Sequence, residues 1–360
     1  MDAAKQSLKL PVADKKTDEH LYFSANFIKF VFILGVVAWH SDVCFNAAGP
    51  VAPVGSAIAD FICSNLANAV IPGYFFISGL LFFNNVKRFS LHWYLGKLKR
   101  RVFTLLIPYL IWNVVGLGIE IYHYYSAGSG LPGVIVDGEL SPLTLLKGFW
   151  DYANGMPYAF AFWFIRNLIV IVILSPLAYL IGAKSRLVCL AFTVVCCLFD
   201  NSLGGFLFFT LGCTAAVFYK QALCRIKRGS AVVAIVVFSV CTVLSALNAV
   251  ENYRGALFTI ELLCAIIIVF RLIRVYRKRL ENRLIRYLTA STFFIYALHQ
   301  FIVPTVRNTF TTLFGLTETL GVLAAVSCTF LTLVAFSLVI FTVMRFFVPR
   351  TAAVLCGNRL

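Results

Sequence analysis

FIKFVFILGVVAWHSD, residues 27–42, is an apolar stretch with a lysine near one end and a histidine near the other. Lys29 and His40 are eleven positions apart, which at about 3.6 residues per turn is almost three whole turns of an α-helix. Both side chains therefore emerge on nearly the same helix face, roughly 16 Å apart along the axis. Ionisable groups inside a membrane-length helix are costly to keep, so a functional role is the first hypothesis for both.

The composition is typical of an integral membrane protein. Of the 360 residues, 61% are hydrophobic and 13% are charged, and the mean hydropathy is +0.88. A soluble domain is about a quarter charged, and several apolar runs exceed the ~20 residues that a helix needs to cross the hydrocarbon core. The sequence predicts an all-α, polytopic transmembrane bundle of about ten spans. We place them near residues 22–44, 61–83, 103–123, 160–182, 187–200, 204–219, 230–249, 256–274, 287–307 and 321–347.

The eleven cysteines form no C-x-x-C pair, and most of them lie inside apolar runs. This pattern is typical of small buried hydrophobic side chains rather than of metal ligands or disulfides. The sequence therefore predicts no metal site.

Lysine and arginine are concentrated in every second loop between the predicted spans. One set of loops, with both tails, holds 26 of the 31 basic residues, while the alternate loops hold only Lys147, Arg254 and Arg307. The positive-inside rule then places both termini in the cytoplasm. The net charge of +16 thus reflects topology and attraction to anionic membrane lipids, and no nucleic-acid partner is predicted. A cleaved signal peptide is disfavoured, because Lys29 interrupts the first run and nine further spans follow.

The predicted topology brings most ionisable residues within spans to the outer half of the bundle. Tyr296 and His299 share a helix face there, at i, i+3 spacing. One reactive histidine, one fixed cation and two or three carboxylates can converge in this half. The other residues placed there are His40, Asp42, Asp60, Glu120, His123, Arg166 and Glu261.

Each of these residues also has a purely structural explanation. His40 and Asp42 can be solvated at a helix end, and Lys29 can extend its ammonium toward the cytoplasmic head groups. Arg166 beside Trp163 can anchor the membrane interface. The remaining residues can cap helices, form ion pairs or make hydrogen bonds in the core: Asp60, Glu120, Glu261 and His299.

Five sequence strings along the chain are informative when they are taken together. They are FIKFVFILGVVAWH (27–40), GYFFISGLLFF (73–83), KRRVFTLLIPYLIWN (99–113), FWFIRNLIVIVILSPL (162–177) and STFFIYALHQFI (291–302). Together they resemble the acyltransferase-3 family of integral-membrane acyltransferases. The resemblance implies one membrane domain over residues 22–347, between polar cytoplasmic tails at 1–21 and 348–360.

The resemblance implies transfer of an acyl group, usually acetyl, from cytoplasmic acyl-CoA to a hydroxyl of a surface polysaccharide or lipid-linked glycan. A bacterial inner membrane is the expected location. His40 matches the family's catalytic histidine. Lys29 stands where the family has arginine, which keeps the charge and loses the planar pair of donors. Arg101 matches the first of two arginines before the third-helix proline, whereas Thr104 replaces the second.

The implied roles fit the chemistry of the donor, and no bound cofactor is predicted besides acyl-CoA as a substrate. His40 is predicted to act as general base on the acceptor hydroxyl or to carry the acyl group itself. Arg166, with Asn167 where Asp is common in the family, or His299 is predicted to stabilise the oxyanion. The acyl-CoA phosphates are predicted to bind a cytoplasmic cluster with Lys29 partway along the route. That cluster is Lys97, Lys99, Arg100 and Arg101, and the accessory candidates are Asp42, Tyr296, Glu120 and Glu261.

The acceptor is predicted to bind the longest outer loop, residues 124–159, whose aromatic side chains suit a sugar ring. The alternative is a re-entrant or interfacial loop. For the whole protein, a second hypothesis is a transporter or flippase whose buried charges line a substrate path. A third is a structural subunit of a polysaccharide export complex. The oligomeric state is left open by the sequence.

Overall fold

The computed structural model describes residues 15–44, 47, 49–65, 67, 69–128, 135–136, 139–198, 204–247 and 254–358. These residues are almost entirely helical, which confirms the predicted all-α class. The first eight α-helices are α1 (Lys15–His40), α2 (Pro53–Asp60), α3 (Val70–Phe83), α4 (Leu91–Arg101), α5 (Ile107–Ala127), α6 (Pro142–Asp151), α7 (Trp163–Ile173) and α8 (Ser175–Gly182). The next eight are α9 (Arg186–Leu198), α10 (Gly204–Thr214), α11 (Lys220–Cys224), α12 (Arg228–Ala246), α13 (Arg254–Leu280), α14 (Arg283–Phe314), α15 (Thr319–Phe347) and α16 (Pro349–Leu355).

Short irregular turns connect several of these helices. The π-helical turns are Phe61–Asn65, Val102–Leu106 and Ala215–Tyr219, and a 3-10 turn covers Phe160–Phe162. Two short strands, β1 (Ile135–Val136) and β2 (Glu139–Leu140), pair in an antiparallel hairpin.

Within the described residues, six helical runs are long and apolar enough to cross a membrane. They are Lys15–His40, Leu91–Ser126, Gly204–Cys224, Arg228–Ala246, Arg254–Leu280 and Thr319–Phe347. The pair Phe160–Ile173 and Ser175–Gly182 makes a seventh if it counts as one broken span. The predicted multi-pass membrane protein is confirmed, while the count of ten spans and the cytoplasmic termini stay predictions.

Two of the predicted spans are not single helices. Over residues 61–83, the π-helical turn ends at Asn65 and α3 begins at Val70. Over residues 160–182, the helix breaks at Leu174. Pro176 explains this break, because it lacks an N–H and its ring clashes with the carbonyl of Val172. Asp200, Asn201 and Ser202, predicted to separate spans five and six, lie outside the described residues.

The first helix begins earlier than predicted. α1 starts at Lys15, within the segment 1–21 that the sequence assigns to a polar tail. All eleven cysteines lie in the described part of the chain, where no two of them form a disulfide, and eight of them are buried, as expected for small apolar side chains.

The chain folds into two compact units. Unit 1 comprises the described residues of 1–28, 72–95 and 175–281. Its helices α3 and α10 approach closely, since a Cβ on Gly79 would lie 2.0 Å from the Phe209 carbonyl oxygen. In the same unit the Asp18 carboxylate accepts hydrogen bonds from the Lys220 ammonium and, at 2.9 Å, from the Asn85 amide.

Unit 2 comprises the described residues of 29–71, 96–174 and 282–360, and it contains most of the candidate site residues. Its longest helix, α14, begins at a capped end, because the Asn282 side chain accepts the Ile285 N–H at 2.9 Å. The helix ends at Gly315, whose φ of 68° suits glycine. The α15 residues Val322 and Ala325 are completely buried in a small apolar core beside α2.

Candidate active site

His40 is the last residue of α1, and its ring lies between an aromatic and a second imidazole ring. The helix ends in a turn at Ser41, whose N–H donates to the Ala38 carbonyl at 3.0 Å. The His40 ring centroid lies 5.4 Å from the Phe160 ring, edge to face, and 5.2 Å from the His299 ring. His40 is half-buried. An imidazole in this position is held by its neighbours and still has an open side.

His299 lies in the middle of α14 and has no exposed surface. Its Nδ1 atom is 3.0 Å from the carbonyl oxygen of Ile295. Because a carbonyl oxygen only accepts hydrogen bonds, Nδ1 carries the proton and Nε2 holds a lone pair. Nε2 is buried and has no hydrogen-bond partner within the described residues. An unmet buried acceptor costs free energy, and His40 is the neighbouring ring that can offer an N–H.

Two buried amide side chains hold the backbone segment that carries Phe160. The Oδ1 atom of Asn113 accepts the Ala159 N–H at 3.0 Å, and the Oε1 atom of Gln300 accepts the Ala161 N–H at 2.8 Å. Asn113 is completely buried and Gln300 is 3% exposed, although both lie in apolar helices. The two hydrogen bonds fix the residues on either side of Phe160 and so position its ring.

Tyr296 is a third anchor of the same segment. Its hydroxyl donates to the Ala161 carbonyl at 2.5 Å. Its ring centroid lies 5.2 Å from Phe162 and 6.4 Å from His299, the residue that shares its helix face. Tyr296 and His299 share a helix face, as their spacing predicted. The Tyr296 hydroxyl holds the backbone at Ala161.

Helix α5 approaches this segment at Gly116. A Cβ on Gly116 would lie 2.9 Å from the Ala159 nitrogen and 2.9 Å from the Tyr158 carbonyl carbon. Both contacts are with backbone atoms, which cannot turn aside as a flexible side chain can. Glycine is therefore required for the observed distance between α5 and the segment.

Arg307 is a charged neighbour of the histidines that the sequence placed in an outer loop. It lies on α14, eight residues after His299, and its side chain is half-buried. Its guanidinium interacts electrostatically with the His40 ring. A positive charge at this position also favours anionic groups that approach the site.

Arg166 and Glu120 make hydrogen bonds with residues of the segment 124–159. Arg166 donates to the carbonyls of Trp150 and Gly155, the latter at 2.8 Å, and its guanidinium lies 5.2 Å from the Trp150 ring centroid. Glu120 accepts the Tyr152 hydroxyl at 2.8 Å. Within the described residues, none of these hydrogen bonds reaches either histidine, and the structural explanation suits both residues.

The predicted accessory residues Asp42 and Glu261 each form a hydrogen bond with a residue near them in the structure. Asp42 follows the end of α1, and its Oδ1 atom accepts the Cys44 N–H at 2.8 Å in a local turn. Glu261 belongs to unit 1, where it is 1% exposed and accepts the Ser245 hydroxyl at 3.4 Å. Asp42 therefore shapes the loop after α1, and Glu261 is part of the core of unit 1.

The predicted donor-binding residues lie on helices α1 and α4. Lys29 is half-buried on α1, in one uninterrupted helix with His40. The basic cluster occupies the last two turns of α4, directly before the π-helical turn that leads into α5. Its exposed members are Lys99 and Arg100, and its half-buried members are Lys97 and Arg101.

Four residues of the site were not predicted from the sequence. Asn113 ends the third quoted string and Gln300 directly follows His299, so both are amides inside apolar helices. Buried amides need hydrogen-bond partners, and that requirement is a usable signal. Phe160 and Arg307 carry no comparable signal, because their proximity to the site depends on how distant segments pack.

Comparison with known families bears on this arrangement. The family model for the acyltransferase domain of the acyltransferase-3 type matches residues 22–342. Neither a curated protein nor a solved structure matches the chain. The matched range covers nearly the whole chain, includes both site histidines and confirms the resemblance seen in the five strings. It gives no support to the transporter alternative. The chain belongs to the acyltransferase-3 family of membrane acyltransferases.

Proposed function

We propose that this protein transfers an acyl group, most simply acetyl, from cytoplasmic acyl-CoA to a hydroxyl of a surface polysaccharide or its lipid-linked precursor. The family match supports acyl transfer as such. The choice of residues rests on one observation: the His40 ring lies 5.2 Å from the ring of His299, whose buried Nε2 atom has no hydrogen-bond donor among the described residues. A neutral imidazole has one N–H and one nitrogen with a lone pair, so it can accept a proton from a hydroxyl and return it later in the reaction.

His40 is the general base of the proposed reaction. The acceptor hydroxyl gives its proton to a ring nitrogen of His40 while its oxygen attacks the thioester carbonyl carbon. The tetrahedral intermediate collapses, the C–S bond breaks, and the CoA thiolate takes the proton from His40. The products are an O-acyl ester and free CoA, and His40 returns to its starting state.

His299 orients His40 in this proposal. Its Nε2 atom accepts hydrogen bonds only, so one N–H of His40 can point toward it and leave the other nitrogen of His40 as the base. The oxyanion role that the sequence suggested for His299 requires a donor atom, which Nε2 of this tautomer is not. For Arg166 that role stays a prediction.

A second course uses His40 as the nucleophile. Its nitrogen attacks the thioester carbonyl, the C–S bond breaks, and the acyl group rests on the ring until the acceptor hydroxyl takes it. This course divides the transfer into two steps and gives the same ester and the same free CoA. Burst kinetics of CoA release without acceptor distinguish it from direct transfer.

The donor and acceptor are proposed to bind at opposite ends of this path. The basic cluster at the end of α4 suits the CoA phosphates, and Lys29 suits the route between that cluster and His40. On the acceptor side, Trp150 is 52% exposed and offers an aromatic face to a sugar ring. Of the acidic residues of this loop, Asp137 lies outside the described residues, as does most of its glycine-rich part. The surface-glycan role supports a bacterial inner membrane as the location.

The test uses purified protein. The full-length protein in lipid nanodiscs, given acetyl-CoA and a glycan acceptor, is expected to release free CoA and form an O-acetyl ester. His40→Ala is expected to lower the rate by a factor of about 10² to 10⁴, the usual contribution of a general base. The exposed His123 gives a matched control, and His123→Ala is expected to leave the rate unchanged. Full ester formation by a folded His40→Ala variant contradicts the proposal, as does movement of intact substrate without consumption of acyl-CoA.

A further inference from the structure

A cavity of about 580 Å³ lies in unit 2, where the first turns of α14 meet the last turns of α15. Its size is within the usual range for sites that bind small molecules. The residues that line it include three arginines, two hydroxyl side chains and a phenylalanine: Arg283, Arg286, Arg345, Tyr287, Thr342 and Phe346. The proposed acyl transfer does not use any of them.

Within the described residues, neither of the ion pairs observed, Lys220 with Asp18 and Arg277 with Glu281, involves these three arginines. Three guanidinium groups therefore line one cavity, and in the described part of the chain no carboxylate forms an ion pair with them. Guanidinium groups bind phosphate oxygens through paired N–H donors, so the chemistry of the cavity selects a phosphate group.

Part of the cavity wall is firmly held. The Tyr287 hydroxyl, on α14, donates to the Leu338 carbonyl of α15 at 3.3 Å and also bonds the hydroxyl of Thr342. The Tyr287 ring lies 5.6 Å from the Phe341 ring, which is completely buried. These contacts tie α14 to α15 at the depth of the cavity.

Exposed apolar side chains lie in the same helical turns as the cavity. Phe346, which lines the cavity, is 79% exposed, and Phe347 and Leu284, each next to a lining residue in the sequence, are 72% and 63% exposed. A water-soluble phosphate compound without an acyl chain does not bury such apolar surface. A phospholipid uses both parts, because its phosphate meets the arginines while its acyl chains cover the phenylalanines.

We propose that this cavity binds the phosphate-bearing head group of an anionic phospholipid. The charge distribution of the sequence assigns the start of α14 and the end of α15 to the cytoplasmic side. Basic pockets between transmembrane helices on that side are suited to anionic head groups. The other source of the same phosphate chemistry is the nucleotide part of acyl-CoA, for which the α4 cluster was proposed above. The proposed lipid site does not depend on the proposed acyl transfer and is tested by measuring lipid binding.

The experiment measures lipid binding to the full-length protein in detergent. Dioctanoyl phosphatidylglycerol is titrated by native mass spectrometry, with dioctanoyl phosphatidylcholine as the comparison without net charge. The triple variant Arg283→Gln, Arg286→Gln, Arg345→Gln is expected to weaken phosphatidylglycerol binding by roughly fivefold for each arginine and about a hundredfold in all. Phosphatidylcholine is expected to bind weakly to both proteins.

A matched triple variant removes the same charge elsewhere. Lys184, Lys278 and Arg350 are exposed and lie outside the cavity, so their replacement by glutamine is expected to change binding by less than about threefold. Equal losses in the two triple variants overturn the proposal, because they show attraction to overall charge. If the cavity triple does not fold, the single Arg345→Gln variant carries the test, with an expected loss of about fivefold.

A nucleotide probe separates the two sources of phosphate. Adenosine 3′,5′-bisphosphate, which carries the phosphate chemistry of CoA without an acyl chain, is added to the protein with bound phosphatidylglycerol. The lipid is expected to stay bound. Displacement of the lipid by the nucleotide overturns the lipid assignment and shows a nucleotide site.

Discussion

Gln300 of α14 accepts the backbone N–H of Ala161 at 2.8 Å, across 139 positions of the chain. This contact joins the helix that carries His299 to the segment whose Phe160 ring packs against His40. The arrangement of the two histidines therefore depends on a buried amide whose hydrogen bonds are with the backbone of Ala161 and Ala297. Its loss is expected to disturb the site and the stability together.

Replacement of this amide is the first prediction. Gln300→Leu leaves the buried Ala161 N–H without an acceptor and is expected to lower the free energy of unfolding by about 1–3 kcal/mol. Acyl transfer is expected to fall as well, since the Phe160 segment loses one anchor. Thermal unfolding in detergent measures the first effect and CoA release the second. Gln221→Leu, at an exposed position, is the control, and equal effects of the two changes contradict the prediction.

Gly116 allows a second prediction with a control on the same helix. Gly116→Ala places a Cβ 2.9 Å from two backbone atoms of the Tyr158–Ala159 segment, so α5 or the segment must move. Overpacking of this kind is expected to destabilise the protein by about 1–3 kcal/mol. Gly118→Ala meets no atom within 4 Å, so the higher helix propensity of alanine is expected to leave stability unchanged or slightly raised. Thermal unfolding of both variants decides the matter, and similar midpoints count against the close approach.

His299 can be probed by separating its two nitrogen atoms. Asparagine keeps an N–H that can donate to the Ile295 carbonyl and removes the acceptor at the Nε2 position. His299→Asn is expected to fold normally and to lower kcat by at least about tenfold, with KM for acyl-CoA unchanged, since His299 positions His40 and does not bind the donor. His299→Gln, which restores a polar atom near Nε2, is expected to recover part of the rate. Unchanged kcat in a folded His299→Asn variant rules out the orienting role.

Arg166 yields a prediction about the outer loop. Lysine keeps the charge and loses the planar donors that reach the Trp150 and Gly155 carbonyls. Arg166→Lys is expected to destabilise the protein by about 0.5–1.5 kcal/mol, the usual net contribution of a hydrogen bond, because the two carbonyls are exposed and water can replace the lost donor. Limited proteolysis near residues 150–155 and thermal unfolding measure the change. Arg350→Lys, at an exposed site, is expected to show neither effect.

Much of the architecture follows from local sequence. Apolar runs longer than ~20 residues and the scarcity of charge predict membrane helices, because each run must bury its backbone polar groups within one segment. The α1 helix holds Lys29 and His40 as their spacing predicted. The broken helix at Leu174 was also legible in principle, since Pro176 limits the residues before it.

Only some residues of the site could be predicted from the sequence. His40, Tyr296 and His299 were singled out in the sequence and lie together, whereas Glu120, Asp42 and Arg166 make other contacts. Predicted depth in the membrane groups all of these residues in one half of the bundle. It does not say which helix faces which, and that choice decides the partner of each polar group.

The sequence by itself determined the membrane class, the helical fold, the family and the histidine at the end of α1, because these depend on composition, periodicity and the order of short strings. Tertiary structure alone decided that Gln300 and Asn113 hold the Phe160 segment and that three arginines share one cavity. Such contacts join residues far apart in the chain, and they form only where packed helices bring them within hydrogen-bond reach.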